Sequence, residues 1–216
     1  MAVDIAVVDY GMGNLHSVAK ALEHVAKGAS VAVTGDAQTI LEAGRVVFPG
    51  QGAAPDCMRE IDARGLREVI VRSAREKPFL GICMGLQVLF DHSDEGDTPC
   101  LGVFQGQVKR FSQDKMVDAQ GSRLKVPHMG WNNVLQLRPH PLWAGIDNGA
   151  RFYFVHSYFV VPEQPALAVG YTDYPSQFVC ACARDNVFAV QFHPEKSASA
   201  GLRLLANFVT WNGIPA

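Results

Sequence analysis

A cysteine between two glycines is the strongest sign of chemistry in this sequence. Cys83 lies in Gly81-Ile82-Cys83-Met84-Gly85, which has the G-x-S-x-G spacing of a nucleophile elbow with cysteine in place of serine. The flanking residues must be small, because this strand-to-helix turn is tight and larger side chains would collide with neighbouring backbone. The dipole of the following helix would favour a thiolate. The alternative is a buried structural cysteine at a βα turn.

One histidine among seven is spaced to act as a base toward this thiol. His193 and Glu195 belong to Phe192-His193-Pro194-Glu195, which directly follows a strand-like run. Residues two apart in an extended segment point to the same side, so the carboxylate can pair with the imidazole and stabilise the imidazolium. No two histidines have the HxxxH spacing of a metal site, and we expect neither a metal nor a cofactor. Together with Cys83, this order predicts a Cys-His-Glu triad.

Two glycine-rich turns could bring backbone N–H groups close to a substrate. Gly11-Met12-Gly13 lacks the third glycine of a dinucleotide-binding turn, because His16 occupies that position. The segment PGQGA fits better as an oxyanion loop, in which Gly50 and Gly52 lie beside the backbone amide of Met84. An ordinary βα turn is the alternative for this segment.

The hydrophobic pattern of the first half indicates the elements that would position these residues. Short, continuous apolar runs alternate with helical periodicity, which is typical of buried parallel strands joined by helices. Asn14 and Asp36 are placed to cap helices, and Lys77-Pro78 ends another. The predicted strands are 3–8, 30–33, 45–48 and 79–82. The first predicted helix begins after Asn14, and the others are 36–41, 66–73 and 84–90. This order predicts a parallel sheet with helices on both faces.

The second half has strand-like runs with little helix between them. These runs are 107–111, 133–137, 151–161, 166–171, 178–183 and 187–192. Turn residues separate them, which favours antiparallel strands added to the same sheet. A final helix is predicted over 199–211, and residues 112–123 form a predicted surface loop or hairpin tip. The fold class is therefore α/β, with one domain over residues 1–216.

Composition restricts the classes of partner and compartment. The chain has 216 residues, of which 48% are hydrophobic and 19% charged, and this excludes a disordered chain. Its net charge of −2 makes nucleic acid an unfavourable partner, because binding phosphates needs a clustered basic surface. Five cysteines without CxxC spacing predict free thiols, with Cys180 and Cys182 in the core. No apolar run could span a membrane and no secretory signal is present, so we expect a cytoplasmic protein.

The elbow and the H-P-E segment resemble those of the class I glutamine amidotransferases. The resemblance implies a flavodoxin-like, mostly parallel central sheet, and it implies that Cys83 attacks the carboxamide of glutamine to form a γ-glutamyl thioester. His193 would protonate the leaving ammonia and then activate water, while Glu195 orients His193. Gln87 and Glu95 would bind the α-amino-acid end of glutamine. One departure is Gln51, which stands between the two loop glycines where the family usually has a small apolar residue.

Longer segments resemble one subfamily, the glutaminase subunits that serve imidazole glycerol phosphate synthesis in histidine biosynthesis. These segments are VDYGMGN, PHMGWN, FYFVHSY and HPEKS. The resemblance implies a heterodimer with a TIM-barrel cyclase subunit, which would receive ammonia through a tunnel and make imidazole glycerol phosphate and aminoimidazole carboxamide ribotide. Trp131, Asn132 and Lys196 would lie in the contact surface. The alternatives are a glutaminase subunit for pyridoxal phosphate or anthranilate synthesis, or a non-catalytic regulatory subunit of the same fold.

Overall fold

Five parallel strands form one side of the main sheet, from its edge inward. The structure is a computed structural model that describes residues 3–112, 116–117 and 123–215. The strands are β1 (Ile5–Val8), β2 (Val31–Thr34), β3 (Arg45–Gly50), β4 (Phe79–Cys83) and β14 (Val187–Val190). They lie in the order β2-β1-β3-β4-β14, and each adjacent pair is parallel. The predicted parallel sheet is confirmed.

Helices cover both faces of this sheet, as the alternating pattern predicted. They are α1 (Leu15–Val25), α2 (Ala37–Glu42), α3 (Ala54–Ala63), α4 (Arg67–Glu76), α5 (Met84–Gln87) and α6 (Ala198–Thr210). One hydrophobic core contains the apolar faces of α1 and α6, and the other contains those of α2, α3 and α4. Both predicted caps are confirmed: the Asn14 side chain accepts a hydrogen bond from the Ser17 N–H, and the Asp36 side chain accepts one from the Thr39 N–H.

Antiparallel strands extend the sheet beyond β14. They are β5 (His92–Ser93), β6 (Thr98–Pro99), β7 (Gly106–Arg110), β9 (Leu135–Gln136), β11 (Tyr158–Pro162), β12 (Ala168–Asp173) and β13 (Gln177–Arg184). The main path continues as β14-β13-β11-β7-β5-β6, and β12 pairs with β13 and β9. Most of the second half therefore joins the sheet as predicted, although β5 pairs with β7 in the parallel direction.

One strand pair departs from the predicted single sheet. Strands β8 (His128–Asn133) and β10 (Arg151–His156) form a separate two-stranded antiparallel sheet. The reason is aromatic packing: Phe152 and Phe154 of β10 are buried, and the Phe152 ring lies 4.1 Å from that of Phe192. Burying these rings against the end of β14 places β10 over a face of the main sheet, so it does not pair at an edge.

Two further expectations about elements need correction, and one helix was not predicted. The predicted helix 84–90 ends at Gln87, because the N–H groups of Leu89 and Phe90 donate to carbonyl groups three and not four residues back; the carbonyl groups of residues 88–90 then accept hydrogen bonds from the N–H groups of residues 101–103. The predicted strand 151–161 is interrupted at Ser157, and α3 was not predicted at all. Most of the predicted loop 112–123 lies outside the described residues; of those described, Val117 and Arg123 form an antiparallel bridge.

No helix in the described part of the chain is long and apolar enough to cross a membrane. All five cysteines are free and buried, and Cys180 and Cys182 lie in the core as predicted.

Candidate active site

The Cys83 thiol lies at a strained turn where β4 ends. Its φ of 56° and ψ of −109° are unusual for a residue with a side chain, and such a conformation costs on the order of 1–3 kcal/mol. The flanking glycines explain how the turn is possible. A Cβ on Gly85 would overlap the Phe48 carbonyl, and a Cβ on Gly81 would lie 2.8 Å from the Gly85 carbonyl oxygen. Strained backbone of this kind is typical of functional sites.

His193 and Glu195 form a buried pair just beyond β14. The imidazole Nδ1 lies 2.9 Å from Glu195 Oε1, and the two side chains are only 3% and 1% exposed. The predicted pairing is present, but its geometry differs from the prediction: Glu195 lies in a single 3-10 turn, Pro194–Lys196, and not in an extended segment. The Ser197 hydroxyl holds this turn by donating to the His193 carbonyl at 2.6 Å.

The surroundings of His193 favour its charged form. Burial lowers the pKa of the imidazole, but the nearby Cys83 sulfur and the Glu195 carboxylate outweigh burial and raise the pKa to about 10. Within the described residues, the far ring nitrogen, Nε2, has no hydrogen-bond partner. This nitrogen is therefore available to exchange a proton with the thiol or with a bound substrate.

Cys83 and His193 line one cavity of about 440 Å³. The predicted site residues that line it are Gly52, Cys83, Met84, Gln87, Glu95, His193 and Lys196. Gly50 does not line the cavity but is the neighbour of Cys83 on the adjacent strand, because the two residues pair in the register of β3 and β4. A Cβ on Gly50 would collide with the Tyr10 hydroxyl, and Gly52 has a φ of +95°. Both positions of the predicted oxyanion loop therefore require glycine.

Gln87 and Glu95 occupy the same cavity but differ in what they leave free. The Gln87 Nε2 group donates to the Tyr158 carbonyl at 3.1 Å and to Gln191 Oε1 at 3.0 Å. The Gln87 Oε1 atom is buried and has no partner among the described residues. One oxygen of Glu95 accepts a hydrogen bond from the Ala54 N–H at 2.8 Å. The Gln87 Oε1 atom and the Glu95 carboxylate could therefore both accept hydrogen bonds from a positively charged group of a ligand.

The three predicted contact residues connect the cavity with an exposed surface. Trp131 on β8 is 44% exposed, and its neighbour Met129 is 66% exposed. The Trp131 ring packs edge-on against Tyr153, and the Lys196 ammonium lies 6.0 Å from the centre of the same Tyr153 ring. Asn132 is half-buried in the same strand, between this surface and the interior.

The sequence prediction missed Gln191, which contacts the thiol directly. Gln191 is fully buried, and its Nε2 group donates to Cys83 Sγ at 3.8 Å. The contact follows from the sheet register, because Val190 of β14 pairs with Ile82 of β4 and the next residues along both strands lie side by side. Gln191 also precedes His193 by two positions, which is the spacing that could have singled it out.

Among the residues that the structure describes, no three His, Cys, Asp or Glu side chains are grouped so that they could hold a metal ion.

Comparisons with known proteins agree on one family. Residues 6–211 match the model of the class-I glutamine amidotransferase family. The chain is 69% identical to the imidazole glycerol phosphate synthase subunit HisH of Thiobacillus denitrificans, over 98% of this chain and 93% of that protein. It is 64% identical to the protein of the same name from Aromatoleum aromaticum, over 96% of this chain and 98% of the relative.

Solved structures show the same fold at much lower identity. PurLQS from Thermotoga maritima matches with a TM-score of 0.68 and 17% identity, over 96% of this chain and 98% of that chain. A crystal structure of a glutamine amidotransferase matches with a TM-score of 0.70 and 15% identity, covering 96% of this chain and 100% of that chain. Similarity at this level extends to the fold alone.

Proposed function

The chain belongs to the class I glutamine amidotransferase family, and from that membership we propose that it hydrolyses glutamine to glutamate and ammonia for imidazole glycerol phosphate synthesis in histidine biosynthesis. The observation that carries the proposal is that the strained Cys83 shares one cavity with His193, which is itself paired with the buried Glu195 carboxylate. We further propose that residues 1–216 form a single glutaminase domain and that it works in the cytoplasm.

In the proposed reaction, the Cys83 thiolate attacks the side-chain carbonyl carbon of glutamine. His193 donates its proton to the leaving nitrogen, so ammonia departs and a γ-glutamyl thioester remains on the sulfur. His193 then accepts a proton from water, and the resulting hydroxide displaces the thiolate to release glutamate. Glu195 keeps the imidazole in place and stabilises its charged form at each step, which the raised pKa of His193 supports.

Backbone N–H groups would stabilise the oxyanion that forms in both steps. We assign this role to the Gly50–Gly52 loop and to the amide of Met84, the residue after the nucleophile. Gly52 lines the cavity beside Cys83 and Met84, so its backbone lies next to the bound substrate, and the close packing of Gly50 against Tyr10 and Met84 fixes the loop in place. The unpartnered Gln87 Oε1 and the Glu95 carboxylate would receive the α-ammonium group of glutamine.

The ammonia is proposed to pass to a separate cyclase subunit with a TIM-barrel fold, forming a heterodimer. Supporting this, the two named relatives are themselves described as subunits of a synthase. The exposed side chains of β8 supply an apolar surface that polar residues border. We place Trp131 and Asn132 at this interface, and Lys196 where the interface meets the cavity.

Replacing the nucleophile tests the chemistry. Cys83→Ala should reduce glutamate release by the complex with the cyclase by about 10⁴-fold or more, because the thioester can no longer form. Product formation from added ammonium salt should persist, since the cyclase is unchanged. Cys100→Ala is the matched control, because Cys100 is another buried free thiol and lies outside the cavity lining. Glutamate release that survives Cys83→Ala would contradict the assignment.

Complementation tests the pathway. The gene should restore growth of a bacterium that lacks its own histidine-pathway glutaminase when its matched cyclase is supplied as well. Rescue of a pyridoxal phosphate or tryptophan auxotroph, without rescue of the histidine auxotroph, would favour one of the other amidotransferases.

A further inference from the structure

Gln191 is a buried carboxamide that touches the proposed nucleophile, and no step described above uses it. Its Nε2 group donates to Cys83 Sγ at 3.8 Å, which is within hydrogen-bond distance for sulfur. Its Oε1 atom accepts a hydrogen bond from Gln87 Nε2 at 3.0 Å. Both polar ends of a fully buried side chain are therefore occupied, one by the sulfur and one by Gln87.

The orientation of this amide is set by a backbone group. The Tyr158 carbonyl can only accept hydrogen bonds, and Gln87 Nε2 lies 3.1 Å from it. The Gln87 NH2 group must therefore face Tyr158, and its second hydrogen meets Gln191 Oε1. The NH2 group of Gln191 is then the end left for the sulfur. Reversing either amide would bring two donors or two acceptors together in the buried interior, which is costly.

A second donor holds the same carbonyl. His156 Nδ1 lies 2.7 Å from the Tyr158 carbonyl oxygen, so this oxygen receives hydrogen bonds from both His156 and Gln87. Two hydrogen bonds fix the orientation of this carbonyl group. The fixed carbonyl in turn orients the Gln87 amide, which orients the Gln191 amide toward the thiol. Burial strengthens each hydrogen bond of such a chain, because water does not compete for its groups.

We propose that Gln191 is a further catalytic residue, an N–H donor that stabilises the Cys83 thiolate and holds it for attack on the carboxamide. Gln87 and the Tyr158 carbonyl act through it as positioning groups. A hydrogen bond to the charged form of a group favours that form, and an amide N–H aimed at sulfur serves the thiolate more than the thiol. The proposal rests on the proposed function, because it takes Cys83 to be the nucleophile.

The sharpest test reverses the polarity of this one side chain. Gln191→Glu keeps the size and the acceptor for Gln87 but places a carboxylate oxygen against the sulfur. In the full-length protein, the rate of Cys83 alkylation by iodoacetamide is followed against pH, with the modified residue identified by mass spectrometry. We expect the pH midpoint of alkylation to rise by about one unit or more, and the rate below the midpoint to fall about tenfold.

A second variant separates the loss of a donor from the gain of a charge. Gln191→Met removes the N–H without adding an anion, so its midpoint should lie between those of the unchanged protein and Gln191→Glu. It also keeps the test decisive if the glutamate variant fails to fold. The matched control is Gln164→Glu, which adds the same charge at an exposed site and should leave the midpoint unchanged.

The readout is specific to this thiol. Burial raises the pKa of the other four thiols, which keeps them slow to react. The variants leave unchanged the titratable side chains near Cys83, which are Tyr10, Cys57, Glu95, His156, Tyr158, His193 and Lys196.

A midpoint in folded Gln191→Met and Gln191→Glu equal to that of the unchanged protein would overturn the proposal. The proposed function would survive that result, because alkylation does not depend on glutamine turnover. Conversely, an unchanged protein that releases no glutamate with its cyclase would contradict the function and not the hydrogen bond.

Discussion

Two buried side-chain pairs that contain histidine lie beside the same cavity, and they hold their protons in opposite ways. His193 is paired with the Glu195 carboxylate at 2.9 Å, and its pKa is raised to about 10. His128 is paired with another imidazole, that of His156, also at 2.9 Å. Burial lowers the pKa of His128 to about 4 and that of His156 to about 3. The two pairs have the same separation, but His193 is held in its charged form and His128 and His156 are held neutral.

The difference shows that burial does not by itself decide the charge of a histidine. Burial opposes the charged form in both pairs, and only the pair with nearby anionic groups overcomes it. His156 donates to the Tyr158 carbonyl, so its Nε2 must accept from His128, and Asn132 in turn donates to His128 Nε2. In this series of hydrogen bonds every donor has an acceptor when both imidazole rings are neutral. His193 is thereby suited to move protons, and the other pair is suited to hold backbone in place.

Removing the carboxylate should bring the first pair part of the way toward the second, because the Cys83 sulfur, the larger cause of the raised His193 pKa, remains. Glu195→Gln keeps the shape but removes the anion, so we expect glutamate release by the complex to fall by about 10²- to 10⁴-fold. The pKa of His193, followed by the ring proton shifts in NMR, should drop well below about 10 because burial is then less opposed. Glu163→Gln, at an exposed site, is the control. Full activity together with an unchanged His193 pKa in Glu195→Gln would show that the carboxylate contributes nothing to the difference between the pairs.

The neutral pair should make the fold sensitive to acid. The pKa of His128 is lower in the folded than in the unfolded chain, so its contribution to stability is complete above the ordinary value of 6.5 and is lost as the pH falls toward 4. From pH 7 to pH 5, each histidine of this pair should remove about 2 kcal/mol from the free energy of unfolding. His193 has the opposite sign: its contribution is complete below 6.5 and is lost as the pH rises through about 10.

Urea unfolding of His128→Gln at the two pH values measures this contribution. The variant should lose about 2 kcal/mol less than the unchanged protein between pH 7 and pH 5. His140, whose pKa burial also lowers to about 4, is present in both proteins and cancels. The same loss in both would mean that His128 is not held neutral.

The smallest expected effect is at the surface end of the neutral pair. Asn132→Ala removes the donor to His128 Nε2 at 3.3 Å and to the Asp173 carbonyl at 2.9 Å, together with the acceptor of the Asn133 N–H, and we expect a loss of about 1 kcal/mol in the free energy of unfolding. Asn133→Ala removes a side chain whose amide donates to the Gly149 carbonyl at an exposed position, and it should lower the free energy of unfolding by less. An equal loss in the two variants would indicate that the hydrogen bonds of the Asn132 side chain contribute no more than the single one of Asn133.

Local pattern was enough to predict much of the fold. Continuous apolar runs predicted the parallel strands, and the Asn14 and Asp36 side chains marked helix starts, because these signals act within a few residues. The end of α5 was not predictable in this way, since the carbonyl groups after Gln87 bond with a segment more than ten residues later. The separate β8–β10 sheet likewise depends on where Phe152 and Phe154 find a surface to bury against.

By itself, the sequence determined the kinds of groups at the site. Glycines on both sides of Cys83, and a histidine two positions from a glutamate, are local requirements of a tight turn and of a charge pair. Only the tertiary structure decided which distant groups meet them. The registers of β3, β4 and β14 place Gly50 on one side of Cys83 and Gln191 on the other. Strand order and register arise from burying the whole sheet at once, and no short segment contains that information.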